Sequence, residues 1–300
     1  MDRWLAMRVF VAVGEEQSFA AAARRLALSP PVVTRAVSAL EHSLGVKLLQ
    51  RTTRIVRLTD AGARYLLDSK RLLGELTDLE QSLSGAQGEL RGTLAVTASV
   101  MFGRLFVAPI LLEFLDRHRK VNGRAVLVDR VLDLIEDGLD VGVRIAHLAD
   151  ASFTAVRVGA VRQVLCASPA YLKRHGVPRA PRDLRDFSTI SFSADRAAPA
   201  WSFQVGKETL SVRPNSRLVV NSSEVAMQAA MAGAGITRVL SYMAASELKA
   251  GRLQVILREF EAKPIPIHVI HREGKHAAAR VRAFVDFAVA DLRGNALLKA

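Results

Sequence analysis

The chain has 300 residues, a formal net charge of +13 and a sequence pI near 10.6. Its length predicts two or three domains, and a hydrophobic fraction of 50% is enough to pack their cores. The positive charge favours a polyanionic partner, either a nucleic acid or an anionic membrane surface. The single cysteine excludes an internal disulfide framework. Without a signal-peptide-like N-terminus or an apolar run of ~18 residues, the sequence predicts a soluble, cytoplasmic protein.

The first elements along the chain are predicted to be short helices. Residues 4–14 form the first helix, and Ser18 caps a second, alanine-rich helix over residues 20–26. Ser29 is expected to cap a third helix, with Pro30 at the first position, where a missing N–H group costs nothing.

The third helix has a predicted buried stripe formed by Val33, Val37 and Leu40, spaced four and three residues apart. Thr34, Arg35 and Ser38 then lie on its other faces. A guanidinium can bond bidentately to guanine, and hydroxyl groups can reach base edges in the major groove. The tight turn between the helices fits a helix-turn-helix, although an ordinary helical hairpin with a basic loop remains equally open on this pair alone.

A short hairpin is predicted over residues 48–58, with Thr52, Thr53 and Arg54 at its tip. Together with Arg51 and Arg57, the hairpin suits a wing that lies against phosphates or in the minor groove. The wing favours the DNA-binding interpretation of the helices that precede it.

A longer helix is predicted over residues 60–83, with a heptad seam along one side. The seam consists of Tyr65, Ser69, Leu72, Leu76, Leu79 and Leu83. A coiled coil between two copies is favoured, and a helix packed on its own domain is the alternative. Pairing would place two DNA-reading helices on one face of a pseudo-palindromic operator. Residues 85–91 are the predicted hinge to the rest of the chain.

The second half alternates predicted strands and helices, which implies a parallel, doubly wound α/β sheet. The predicted strands are 93–97, 125–128, 141–144, 163–167, 189–193, 201–205, 209–213, 217–220, 236–240, 253–257 and 266–271. The predicted helices are 104–117, 131–136, 169–175, 223–231, 243–248 and 277–292.

A fixed series of residues runs along most of the chain. In the first part these are Phe10, Ser18, Ala22, Ala23, Leu26, Ser29, Arg35, Leu40, Glu41, Leu44, Gly45, Val46, Leu48, Leu49, Arg51, Thr52, Thr53, Arg54, Leu58, Thr59, Ala61 and Gly62. In the second part they are Arg91–Leu94, Asp133, Gly138–Arg144, Leu165–Leu172, Asp183, Asn221, Gly233–Ile236, Gly251–Leu253 and Arg280–Phe287. In this order they resemble the LysR-type transcriptional regulators, over nearly the full length.

The resemblance implies an α + α/β architecture in three parts. These are a winged helix-turn-helix DNA-binding domain at 1–60, a dimerising linker helix with a hinge at 61–90, and an effector-binding domain at 91–300. The last resembles periplasmic binding proteins and has two α/β lobes, lobe one at 92–161 and 268–300, and lobe two at 162–267. A homotetramer is also implied.

The predicted DNA contacts follow from the helix, the wing and the resemblance. They are Ser29, Pro30, Pro31, Thr34, Arg35, Ser38, Arg51, Thr53 and Arg54. The family often has Gln directly after the capping serine, where this chain has Pro30. Base readout is therefore expected to rely on Pro31, Thr34 and Arg35.

A cleft between the lobes is expected to bind a small-molecule effector of unknown identity, beside the carboxyl ends of strands. The predicted lining is mostly apolar with hydroxyl donors, and for each residue alone core packing or capping is the alternative. The predicted positions are Ser99, Val100, Met101, Phe102, Ile145, Leu148, Phe192, Trp201, Phe203 and Thr237.

No catalytic residues, metal site or cofactor are predicted. The odd spacing of His268 and His271 points them to opposite faces of one strand, and Cys166 lies within an apolar strand. We therefore hypothesise a sequence-specific transcriptional regulator gated by its effector. The alternative is a cytoplasmic small-molecule-binding protein or enzyme with an incidental helical N-terminus.

Overall fold

The computed structural model describes residues 2–51, 56–83, 89–148, 153–193, 200–272 and 277–300. The chain divides into two compact units, Met1–Gly88 and Glu89–Ala300, which we call the first and the second unit. Within the described residues, no helix combines the length and the apolar character needed to cross a bilayer.

Three helices form the body of the first unit: α1 (Arg3–Glu16), α2 (Phe19–Leu26) and α3 (Pro30–Leu44). Their predicted existence and order are confirmed. The Ser18 hydroxyl accepts the Ala21 N–H group at 3.2 Å, as expected for the cap of α2. Large apolar side chains from α1 and α3 close the core between the helices; among them are Val9, Phe10, Val13, Val33, Val37 and Leu40.

The predicted hydroxyl cap at Ser29 is wrong, although α3 does begin at Pro30. Ser29 occupies the cap position but its side chain makes no cap hydrogen bond. Pro30 and Pro31 have no N–H groups, and the N–H group of Val32 already donates to the Ser29 carbonyl at 3.0 Å. The hydroxyl therefore has few orphan donors left to satisfy.

The wing hairpin has two short antiparallel strands, β1 (Leu49–Arg51) and β2 (Val56–Leu58), with Leu49 opposite Leu58. The predicted tip residues Thr52, Thr53 and Arg54 lie outside the described residues. The same is true of positions 85–88 of the predicted hinge.

The linker helix α4 covers Asp60–Leu83, as predicted. Its first turns pack on their own unit, because the Tyr65 ring lies 5.5 Å from the Phe10 ring and Ser69 is fully buried. Leu72 is 40% exposed. The described part of the predicted seam is therefore divided, because Tyr65 and Ser69 pack within the unit and Leu72 is exposed. The side chains of Leu79 and Leu83 lie outside the described part of the chain.

Two five-stranded sheets form the second unit. The first contains, in spatial order, β4 (Val121–Leu127), β3 (Gly92–Ala98), β5 (Val141–Ile145), β14 (Ile265–His271) and β6 (Thr154–Val161). The second contains β11 (Ser216–Val220), β8 (Thr189–Phe192), β12 (Ile236–Leu240), β7 (Gln163–Ala167) and β13 (Gln254–Ile256). The predicted hairpin β9 (Trp201–Val205) and β10 (Glu208–Val212) is confirmed as a separate antiparallel pair.

Both sheets are mixed, so the prediction of wholly parallel sheets is wrong. In the first sheet β3 is parallel to β4 and β5, whereas β14 is antiparallel to β5 and β6. In the second sheet β8 is parallel to β11 and β12, whereas β7 is antiparallel to β12 and β13. Antiparallel pairs occur where the chain passes between the sheets. The strand β6 was not predicted, and much of it is exposed.

One long helix follows β3 and starts earlier than predicted. It consists of α5 (Val100–Phe102), a π-helical turn (Gly103–Val107) and α6 (Ala108–Arg117). A Cβ atom on Gly103 would lie 2.3 Å from the Leu127 side chain, so the π turn passes very close to β4.

The predicted helix at 131–136 is wrong, because this segment is a turn. The Asp133 Oδ1 atom accepts the N–H groups of Ile135 (2.7 Å) and Glu136 (3.1 Å). Aspartate side chains that bond to the following backbone compete with helix formation.

The remaining helices lie against the sheets. They are α7 (Pro169–His175), α8 (Ser223–Met231), α9 (Ser241–Lys249) and α10 (Ala279–Gly294), with 3₁₀ turns at Pro181–Asp186, Arg258–Phe260 and Ala296–Leu298. Ser168 and Ser222 cap α7 and α8 as predicted.

The chain passes from the first sheet to the second through one residue, Arg162, between β6 and β7. Its N–H group donates to the Ser241 hydroxyl at 3.2 Å, and its carbonyl accepts the Ser241 N–H group at 2.8 Å. The return passage covers 261–264 and ends at β14. The predicted lobe border at 267/268 falls inside this strand.

Candidate DNA-binding and effector-binding sites

One face of α3 carries the predicted base-reading residues. Their neighbours on the opposite face, Val33 and Val37 among them, are fully buried, which fixes this face toward solvent. The exposed residues are Ser29, Pro30, Pro31, Thr34, Arg35 and Ser38. The sequence period thus brings together all the DNA contacts that were predicted on this helix.

Arg35 is the residue of this face that can bond bidentately to a base. Within the described part of the chain, no carboxylate forms an ion pair with it, so its guanidinium is available to an incoming base or phosphate. The Thr34 hydroxyl donates to the Pro30 carbonyl at 3.1 Å, and this bond has to open before the hydroxyl can reach a base.

The base of the wing is attached to α3 by a residue that the sequence analysis did not single out as functional. Glu41 is 3% exposed, and its Oε1 atom accepts the N–H groups of Leu48 (3.0 Å) and Leu49 (3.1 Å). Its Oε2 atom accepts from the Lys47 ammonium at 3.0 Å. A carboxylate four residues after Val37, on the buried side of α3, was the signal available in the sequence.

Acidic residues of α1 neutralise another part of the first unit. Arg25 pairs with Glu15 (2.6 Å) and Glu16 (3.2 Å), and Lys70 pairs with Glu15 (2.7 Å). Burial acts to raise the pKa of Glu15, but hydrogen bonds from Lys70 and Arg25 outweigh it and lower that pKa. These ion pairs occupy Arg25 of α2 and Lys70 of α4. Arg35 of α3 and Arg57 of the wing are exposed, so we expect DNA to bind on their side of the unit.

A groove of about 480 Å³ lies on the first unit between α1, the end of α2 and α4. Leu73 and Leu76 form its α4 side, and Trp4 lies at the start of its α1 side. Leu76 belongs to the predicted heptad seam, so part of this seam borders an open groove that Arg8 and Arg25 also line.

In the second unit, α5 meets the helices of the other sheet. The Phe102 ring is buried 4.7 Å from Phe106 and contacts Tyr242 of α9 edge-on at 5.4 Å. The buried Ser223 hydroxyl of α8 donates to the Met101 Sδ atom at 3.6 Å. Two of the predicted effector positions therefore lie where the lobes touch.

The start of this long helix is held by an acidic side chain. The Asp129 Oδ1 atom accepts the Val100 N–H group at 3.1 Å, and the Val100 side chain is 44% exposed. Burial raises the pKa of Tyr242, which the Ser99 hydroxyl partly opposes and the Asp129 charge reinforces. Ser99, itself a predicted effector position, thus forms a polar group with Asp129 and Tyr242.

The other predicted positions near the lobe contact have diverse environments. Ile145 and Phe192 are partly buried and pack on the same core cluster as Phe102. Thr237 is fully buried, and its hydroxyl donates to the Ile190 carbonyl at 3.0 Å. Leu148 is exposed.

Trp201 and Phe203 do not join this group. Both are about 2% exposed and pack in a separate core with Leu165 and Ile236. The Arg238 guanidinium lies 5.5 Å from the Trp201 ring, and burial lowers the pKa of Arg238 to about 10. Their placement in the cleft is corrected, because the β9–β10 hairpin buries its apolar face against the second sheet.

The Cys166 thiol and the possible metal ligands are the groups to consider for catalytic chemistry. Burial raises the pKa of the Cys166 thiol to about 12, so the thiolate is strongly disfavoured at neutral pH. Among the described residues, no three His, Cys, Asp or Glu side chains are close enough together to hold a metal ion.

Two family models match this chain. The model of the bacterial regulatory helix-turn-helix protein, lysR family, matches residues 4–63. The model of the LysR substrate binding domain matches residues 87–293. The chain belongs to the LysR family of transcriptional regulators. It is therefore a DNA-binding regulator with an effector-binding domain, as the resemblance implied.

Other LysR-family members resemble it over nearly their full lengths. An HTH-type transcriptional repressor of Pseudomonas aeruginosa is 35% identical, covering 96% of this chain and 91% of the relative. The transcriptional activator AaeR of Escherichia coli is 32% identical, covering 95% and 93%. The solved structure of CrgA, a LysR-type regulator of Neisseria meningitidis, aligns with a TM-score of 0.62 and 28% identity, covering 97% and 99%.

Proposed function

We propose that this LysR-type regulator reads its operator with the exposed face of α3. The observation that carries the proposal is that Thr34, Arg35 and Ser38 share one solvent-facing side whose opposite side is the core. The wing, with Arg51, Thr53 and Arg54, holds the phosphates or the minor groove beside it. The protein acts in the cytoplasm, where operator DNA is accessible.

The effector is proposed to bind where the lobes touch, near Ser99, Val100, Met101 and Phe102. Support comes from the Met101–Ser223 hydrogen bond and the Phe102–Tyr242 ring contact, since a ligand there would touch both lobes. Binding changes the lobe contact and thereby the arrangement of the DNA-reading helices. We also propose that the chain has no enzymatic activity, because its relatives are regulators and its thiol is buried.

Two copies are proposed to pair through α4, so that they read a pseudo-palindromic operator. Support comes from the exposed Leu72 and from Leu76, which lines the groove on the first unit. The homotetramer implied by the family resemblance stays a prediction, and analytical ultracentrifugation of the full chain measures both states.

A gel-shift and footprinting experiment on the region upstream of the protein's own gene tests the DNA-binding proposal. Arg35→Ala is expected to reduce discrimination between the operator and mutated operators by about 1–3 kcal/mol, because one bidentate base contact is lost. Arg182→Ala is the control, since Arg182 is exposed on the second unit and its loss lowers the net charge equally. Unchanged discrimination in Arg35→Ala would contradict the proposal.

A further inference from the structure

Glu41 is a charged residue in the core of the first unit, at the end of the helix that reads DNA. Only 3% of the residue is exposed, and its neighbours on the buried side of α3, Val37 and Leu40, belong to the apolar core. A buried carboxylate is costly unless hydrogen bonds compensate for its lost hydration. Its partners therefore indicate why a charge is placed there.

The main partners of Glu41 belong to the wing. A single carboxylate oxygen accepts the N–H groups of two consecutive residues, Leu48 and Leu49, at the start of β1. The ion pair with Lys47 is less important, because the Lys47 side chain is 78% exposed and water screens the interaction. The placement of one acceptor oxygen between two adjacent N–H groups, more than its charge, fixes both the position and the direction of the strand.

The other side of the same strand start is held by α4. The Thr59 hydroxyl donates to the Lys47 carbonyl at 2.8 Å and accepts the Gly62 N–H group at 2.9 Å. A Cβ atom on Gly62 would lie 1.9 Å from the Leu48 carbonyl oxygen, so the helix backbone lies directly against the strand. The base of the wing is thus held between α3 and α4.

We propose that Glu41 is a positioning residue for DNA binding, which sets the wing at a fixed angle to the base-reading face of α3. This rests on the proposed function of the wing in contacting DNA. Arg35 and Glu41 lie on one helix, so the carboxylate couples the placement of the base contacts to the placement of the wing. The base-reading face and the base of the wing are then held in one arrangement before DNA binds.

Three variants of the full-length protein separate the effect of where the Glu41 acceptor oxygen lies from the effect of its charge. Glu41→Asp keeps the charge but is one methylene shorter, so it cannot reach both N–H groups. Glu41→Gln keeps an acceptor oxygen and loses the charge, and Lys47→Ala removes only the ion pair. We measure operator affinity and its salt dependence by fluorescence anisotropy, and amide exchange of Leu48 and Leu49 by NMR.

Glu41→Asp is expected to weaken operator binding about tenfold, because two buried N–H groups lose their acceptor and the wing shifts. The salt dependence flattens, and the amides of Leu48 and Leu49 exchange faster while those of α1 do not. Glu41→Gln stays within about threefold of the native chain, and Lys47→Ala within about twofold. Glu41→Asp with native affinity and salt dependence overturns the proposal, as does a Glu41→Gln loss equal to that of Glu41→Asp.

Arg54→Ala distinguishes this inference from the function of the wing itself. If Arg54→Ala leaves affinity and salt dependence unchanged, the proposed wing contact fails. If Arg54→Ala weakens binding and Glu41→Asp does not, only the positioning role fails. Support requires both losses, with the Glu41→Asp loss reduced to about twofold in the Arg54→Ala background, because neighbouring residues that act through one contact are not additive.

Discussion

The base-reading face of α3 and the effector positions of the second unit differ in how their residues are spread along the chain. The face is built from residues 29–38, within one helix and its cap. The effector positions run from 99 to 237 and come from two sheets and the hairpin. Helical periodicity alone orients the first set, whereas the second depends on how distant elements pack. A surface on one element is therefore far easier to locate from sequence than a site between lobes.

Trp201→Ala gives the largest expected effect on this comparison. Because Trp201 is fully buried in the core of the second sheet, its loss should destabilise the second unit by about 3–5 kcal/mol. Urea unfolding followed by circular dichroism measures the change. Leu148→Ala is the control at an exposed effector position and should cost under about 0.5 kcal/mol. A similarly small loss in Trp201→Ala would show that the side chain is not buried in this core, and its predicted place in the effector cleft would stand.

Gly62→Ala tests how closely α4 packs against the base of the wing in the first unit, for comparison with the packing of the core in the second unit. The added Cβ atom would meet the Leu48 carbonyl, so we expect a loss of about 2–3 kcal/mol in the unfolding free energy of the first unit. The matched control is Gly74→Ala on the same helix, where an added Cβ atom would meet nothing within 4 Å beyond the backbone of its own helix and its chain neighbours. There alanine should stabilise by about 0.5–1 kcal/mol through its helix propensity. Equal thermal midpoints for the two variants would contradict the close approach.

Cys166 provides a smaller, pH-dependent test of burial in the second unit. Its pKa is raised from 9.0 to about 12, so the unfolded chain loses this proton at a lower pH than the folded chain. Stability is therefore unaffected below pH 8 and falls as the pH rises from 9 toward 12. Between pH 8 and 10 the native chain should lose about 1.4 kcal/mol more than Cys166→Ala, measured by urea unfolding at each pH. Parallel pH profiles for the two proteins would show that the thiol is not desolvated.

Much of the fold could be predicted because its signals are local. The stripe of Val33, Val37 and Leu40 has a helical period, and the caps at Ser18, Ser168 and Ser222 depend on a few adjacent residues. Strand direction has no such signal, since an alternating segment looks the same in a parallel or an antiparallel pair. That is why the mixed sheets were missed.

Two of the predictions were wrong where the same residue types serve two purposes. An apolar hairpin face can line a cleft or cover a core, and only tertiary packing placed Trp201 in the core. Asp133 could cap a helix or close a turn, and here it closes the turn at 131–136. The contribution of Glu41 depends on its contact with Leu48 and Leu49, seven and eight residues away. No helical period reveals that contact.

The single-residue passage at Arg162 has a mechanical consequence for the second unit. The Arg162 guanidinium bonds to Glu261 at 2.8 Å, at the start of the return passage, and the glutamate side chain is only 9% exposed. The two connections between the sheets are thus joined to one another and to the start of α9. Sliding of one lobe past the other would break this ion pair, whereas rotation about it would not. A pivot at Arg162 is therefore the relative motion of the lobes that leaves these contacts between the two connections intact.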